Sequence, residues 1–144
     1  MDDLIKNLNE DELYNLLPRQ VSSDIKSFEK AGAQLDQIGE ILAGSPSTNV
    51  ALKGGNWSGE LWSSVKNEFY KFLCTDSETY SELRNEGNDL KEKSSKYLVA
   101  TLSALIGSEI GISAGIIAPL IIWLLLMSSK IGKESICGTL AKNR

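Results

Sequence analysis

Residues 107–127, GSEIGISAGIIAPLIIWLLLM, restrict the fold more than any other part of the chain. They contain one charged side chain, Glu109, and residues 110–128 carry none. As a helix, those uncharged residues would span roughly 28 Å, close to the hydrocarbon thickness of a bilayer. A helix that is apolar on all sides has to be buried, either in a membrane or among other helices.

Small residues recur through this stretch at helical spacing. A seven-residue register that begins at Leu83 predicts one continuous helix over residues 83–118. Small side chains let two helix backbones approach closely. We therefore expect a helix–helix packing surface of glycine-zipper type at five positions: Ala104, Gly107, Gly111, Gly115 and Ala118.

Three geometries are compatible with the apolar segment. One is a single membrane span, which we favour because of its length and because Pro119 is better tolerated in a span than in a soluble helix. The second is a buried helix of a soluble bundle. The third is a helical hairpin with arms at 98–112 and 116–127 and a turn near 111–115. Glu109 lies at the membrane–water interface in the first geometry and near the tip of the hairpin in the third. At the tip, its protonation would govern insertion. Glu109 is therefore the candidate membrane- and pH-sensing residue.

The rest of the chain predicts helices, because apolar residues recur with a period near 3.6 while strand-like alternation does not persist. We predict helices over 10–17, from Ser23 to Ala43, and from about residue 57 onward. The predicted fold class is all-α, an antiparallel helical hairpin or bundle with a long C-terminal apolar helix. The predicted organisation is a soluble helical domain at 1–96, the apolar segment at 97–129 and a basic tail at 130–144.

Composition argues against several classes of function. The net charge of -4 disfavours a nucleic-acid partner, and the absence of histidine removes the common catalytic triads. Cys74 and Cys137 match no metal-binding spacing, and we expect both to be reduced. No nucleophile–base pair is recognisable. We therefore predict a protein that is not an enzyme and that has no cofactor and no metal site.

The stretch NWSGELWSSVKNEF at 56–69 resembles the W-x-G turn of the small helical-hairpin substrates of bacterial type VII secretion. Trp57 and Gly59 stand between two amphipathic helical stretches, as they do in that family. The resemblance implies a hairpin turn at these two residues. The family's C-terminal export signal, a tyrosine followed four residues later by an acid, is missing, since Arg84 follows Tyr80 at that distance.

Together these patterns predict a secreted or membrane-inserting bacterial protein, a toxin or toxin helper, whose partners are a bilayer and either its own copies or another helical protein. The N-terminus lacks the basic start and apolar core of a cleavable signal peptide, so we expect a cytoplasmic protein that reaches the membrane or the medium by another route. Two alternatives stay open. One is a soluble helical partner or chaperone that shields its apolar helix against a cognate protein, and the other is a small resident membrane protein.

Overall fold

The computed structural model of the chain describes residues 5–6, 8–44, 57–85 and 95–142. All regular structure in these residues is helical, which confirms the predicted all-α class. A 3-10 turn at Glu78–Tyr80 precedes α5. The α-helices are α1 Glu10–Leu16, α2 Arg19–Lys30, α3 Leu35–Ala43, α4 Trp57–Cys74, α5 Ser81–Asn85, α6 Ser95–Ile110, α7 Ala114–Ile131 and α8 Lys133–Lys142.

The apolar helix α7 lies at the centre of the bundle. It packs against α1, α3, α4, α6 and α8. Residues 120–126 are each 3 % exposed or less, so the middle of α7 has no side that faces water. The apolar segment and the helices that precede it therefore share one hydrophobic core.

Local sequence explains where the first helices begin and end. Asn9 caps α1, because its side-chain oxygen accepts a hydrogen bond of 3.1 Å from the backbone N–H of Glu12. The single helix predicted up to Ala43 is wrong, since α2 and α3 are separate. Gly32 adopts a φ of +87° between them, a conformation that glycine reaches without steric cost. Gln34 then starts α3 through a reciprocal capping box with Gln37.

Helix α4 presents the predicted apolar stripe to the core. Leu61, Val65, Phe69 and Phe72 are all buried, as their spacing indicates. The neighbouring Trp62 is buried as well and lies against α3.

Helices α3 and α4 approach most closely at Gly39. A Cβ atom at this residue would overlap the ring of Trp62. The Trp62 indole N–H and the Lys66 ammonium both donate to Asp36 Oδ1, each at 2.8 Å. Burial opposes ionisation of Asp36, but the hydrogen bonds from Lys66 and Trp62 outweigh it and hold the pKa of this carboxyl below its usual value.

Cys74 and Cys137 form a disulfide, with their Cα atoms 5.8 Å apart. The expectation of two reduced thiols is therefore wrong. The pair is 63 residues apart in sequence, and α8 brings the cysteines together by packing back along α4. The bond fastens the C-terminal helix to the side of the bundle.

Replacement of Gly39 and of Gly59 by alanine should have opposite effects on stability. Gly39→Ala should lower the free energy of unfolding by about 1–3 kcal/mol, because the added methyl group displaces Trp62. At Gly59 a Cβ atom would meet only Glu40 Oε1 at 4.0 Å, so Gly59→Ala should raise stability by up to about 1 kcal/mol through helix propensity. Urea unfolding of both variants checks this, and equal losses would contradict the α3–α4 contact.

Candidate functional site

The apolar segment is folded as a helical hairpin and not as one continuous helix. Helix α6 ends at Ile110, and Gly111 adopts a φ of +77°. The N–H groups of Gly111 and Ile112 both donate to the carbonyl of Gly107, at 2.8 and 3.0 Å, which closes the end of α6. Ser113 then starts α7. The continuous helix predicted over residues 83–118 is wrong, because the chain turns at Gly111 and forms two packed arms. Which of the three geometries applies at a membrane stays a prediction.

The predicted small-residue packing surface is divided by this turn. Gly107 is buried, and a Cβ atom there would overlap the carbonyl oxygen of Ile112. At Gly111 and Gly115 a Cβ atom would meet nothing within 4 Å. Ala104 is exposed on α6 and Ala118 is half-buried on α7. Of the three glycines, only Gly107 lies at a close backbone approach, and its neighbour is the hairpin turn.

Helix α7 has the length and composition of a membrane span. Its 18 residues have a mean hydropathy of 1.9, and half of them are buried in the fold. The central helix of a soluble protein has the same two properties, so they do not by themselves distinguish the two environments. In this fold, helices of the same chain cover residues 120–126 of α7, whereas its two ends are partly exposed.

Two polar contacts connect α7 to the helices that cover it. The indole N–H of Trp123 donates to the backbone carbonyl of Leu35, at 3.0 Å and fully buried. The Lys130 ammonium lies 3.1 Å from a carboxylate oxygen of Glu29 and 3.8 Å from one of Glu10. Neither contact could be predicted from the sequence, because the two partners of each contact lie far apart along the chain. Lys130, the first charge after the apolar run, was the available signal for the second contact.

Pro119 lies inside α7 and lacks the N–H that would bond to the carbonyl of Gly115. Gly115 is exposed and has no side chain, so water can reach that carbonyl group. The defect is therefore confined to the surface end of the helix, next to the hairpin turn.

Glu109 is exposed in the last turn of α6, near the tip of the hairpin. A buried polar group lies close to it. The Tyr80 hydroxyl donates to Glu68 Oε1 at 2.8 Å, and Lys71 lies 3.1 Å from Glu68 Oε2. Burial raises the pKa of Tyr80, and so do its hydrogen bond to Glu68, the charge of Glu68 and, more weakly, the charge of Glu109. Glu109 thus lies beside the turn that joins α6 to α7, and its placement at a membrane stays a prediction.

The W-x-G residues begin helix α4. Trp57 is its first residue and Gly59 lies in its first turn. The side chain of Trp57 and the preceding residues 45–56 lie outside the described part of the chain. A Cβ atom at Gly59 would meet only Glu40 Oε1 at 4.0 Å, whereas α3 and α4 approach closely at Gly39. The assignment of a W-x-G turn stays a prediction.

Outside the hairpin, the described residues contain no group of three or more acidic, cysteine or histidine side chains that could hold a metal ion. The open cavities lined by described residues include one of about 630 Å³ between α1 and α2 and one of about 380 Å³ beside the α7–α8 junction. Comparison with protein-family models finds no matching family, and comparisons with curated proteins and with solved structures find no match either.

The turn can be tested by placing a methyl group at Gly107 and at Gly115. Gly107→Ala should lower the free energy of unfolding by about 1–3 kcal/mol, because the carbonyl of Ile112 has to move. Gly115→Ala should be neutral or stabilising by up to about 1 kcal/mol, because it adds helix propensity at an open position. Thermal and urea unfolding measure both effects. A similar loss in both variants would indicate one glycine contact surface and would contradict the turn.

Proposed function

We propose that this protein acts on membranes: it is stored as a water-soluble bundle and inserts the α6–α7 hairpin into a bilayer, as a toxin or toxin helper. The observation that carries the proposal is an almost uncharged hairpin whose second arm, α7, is buried at residues 120–126 among helices of the same chain, with its glycine turn at the surface. Such a hairpin can leave the helices that cover it and enter the hydrocarbon of a bilayer, so that its apolar side chains are not left in water.

The lengths of the two arms suit a bilayer. Helix α6 has 16 residues and α7 has 18, which correspond to roughly 24 and 27 Å of helix. These values lie close to the thickness of a hydrocarbon core. In helices, all backbone groups except those at the ends are paired internally, which a bilayer requires.

The charges are placed as an inserted hairpin requires. Lys96 lies at the base of α6 and Lys130 at the base of α7, whereas Glu109 is the one charged residue between them. Both bases can stay in water on one side while the tip crosses. A single span would place Glu109 and Lys130 on opposite sides and would leave α6, with its exposed Ala104 face, outside the membrane.

A soluble binding module is the second candidate. The complete burial of residues 120–126 favours it, because a helix covered in this way also serves as an ordinary core. The cover comes from the same chain, so a cognate protein is not needed to shield α7. Export without a cleavable signal, the type VII W-x-G relationship and self-association belong to the first proposal as further hypotheses.

Insertion can be tested with a charge at a residue that is exposed in the bundle and central in the hairpin. Ala104 meets both conditions, and Ala141 on α8 is an exposed helical alanine outside the hairpin. Ala104→Lys should leave the soluble fold intact and reduce dye leakage from vesicles more than tenfold, since a lysine at the centre of a span costs about 2.5–3.5 kcal/mol. Ala141→Lys adds the same charge and should leak like the wild type. Equal leakage from all three proteins would rule out insertion of α6.

The tip can be tested through its carboxylate. Glu109→Gln removes the charge that has to enter the bilayer, so leakage at neutral pH should increase, by roughly tenfold or more on the same scale. Glu134→Gln, at an exposed glutamate of α8, is the control. A wild type and a Glu109→Gln variant that leak alike would place Glu109 outside the crossing segment.

A further inference from the structure

Helix α2 carries a basic face that the proposed insertion does not use. Arg19, Lys26 and Lys30 are separated by seven and four residues, so they lie along one side of the helix. Ser22, Ser23 and Ser27 lie on the same side. The three basic side chains are exposed to solvent.

This face borders the larger of the two cavities. The groove has a volume of about 630 Å³, and its floor contains Tyr14 and Leu17 from the end of α1, both buried. The ammonium group of Lys26 lies 4.6 Å from the centre of the Tyr14 ring. The lining includes all three basic residues of the α2 face and no carboxylate.

The acidic side chains of α2 point to other partners. Asp24 accepts a hydrogen bond of 2.8 Å from Gln20, and Glu29 accepts one of 2.7 Å from Tyr14 and lies 3.1 Å from Lys130. Among the described residues, no ion pair involves Arg19, Lys26 or Lys30. Three positive charges without an ion pair in the described part of the chain thus lie together on a protein whose net charge is -4.

Guanidinium, ammonium and hydroxyl donors around an open groove match the oxygens of phosphate groups. The opposite face of α2, which contains Val21, Ile25 and Phe28, packs against the core, so the basic face is the side that points outward. We propose that the α2 groove binds the phosphate groups of anionic lipids and docks the protein on a membrane. As a step before hairpin insertion, docking rests on the function proposed above.

The same helix links docking to the hairpin. Glu29 of α2 lies against Lys130, at the end of α7, while the basic face of α2 points toward the groove. Binding of Lys26 and Lys30 to a lipid surface would therefore bear on α2. Helix α2 also carries Glu29, which pairs with Lys130 at the end of α7.

The test compares two double variants that remove the same charge. Lys26→Gln with Lys30→Gln empties the groove of its two ammonium groups, whereas Lys6→Gln with Lys142→Gln removes two exposed lysines outside the groove and outside the hairpin. Co-sedimentation with vesicles of phosphatidylglycerol and phosphatidylcholine measures the affinity of each full-length protein. The groove variant should bind roughly tenfold or more weakly than the wild type, and the control should lose less than about threefold.

Three results would overturn the docking site. Equal losses in the two double variants would mean that only total charge matters. Equal binding of the wild type to pure phosphatidylcholine vesicles would show that no anionic group is recognised. Soluble glycerol phosphate that binds the groove more tightly than the anionic vesicles do would identify a free phosphate compound as its ligand.

Docking and insertion fail separately in this design. The Ala104→Lys variant should still co-sediment with anionic vesicles, because its groove is intact. Salt-reversible binding without leakage in the wild type would overturn insertion and support the groove. Leakage by the wild type together with undiminished binding of the groove variant would overturn docking and leave insertion standing.

Discussion

The absence of any polar side in the middle of α7 is the constraint on which the rest of the structure depends. Residues 120–126 need apolar neighbours in every direction, and the surrounding helices provide them. Each covering helix needs only one apolar stripe for this purpose, so it can stay short and amphipathic. Burial of each large apolar side chain contributes about 1.5–3 kcal/mol, against a total stability of about 5–15 kcal/mol for an ordinary domain. Helix α7 therefore cannot be released into water, whereas a bilayer would return most of that free energy.

Local patterns were sufficient for those parts of the fold that local forces determine. The apolar stripe of α4, the Asn9 cap and the all-α class follow from periodicity and capping chemistry, and each is observed. The two breaks, at Gly32 and Gly111, were not predicted. Glycine fits into an apolar pattern with steps of three, four or seven residues. The pattern therefore does not show whether a given glycine adopts a positive φ and ends the helix. At Gly111 a readable signal existed, because a glycine followed two residues later by a serine is a helix stop next to a helix start.

Contacts between distant parts of the chain could not be predicted from one sequence. The close approach at Gly39 depends on where Trp62 lies. The buried indole N–H of Trp123 on α7 finds its acceptor at the backbone carbonyl of Leu35. The basic face of α2 differs from these, because its spacing was readable in the sequence. Only the structure shows that Asp24 and Glu29 have other partners, Gln20 for Asp24 and Tyr14 and Lys130 for Glu29.

The disulfide between Cys74 and Cys137 restricts the possible membrane topologies. It joins two points that flank the whole hairpin and holds their Cα atoms 5.8 Å apart. Two linked points that lie on the same side of a bilayer require the chain between them to cross an even number of times. An oxidised protein that inserts as proposed therefore cannot cross with α7 alone, and α6 would cross with it. The covalent bond thus restricts any such insertion to an even number of crossings.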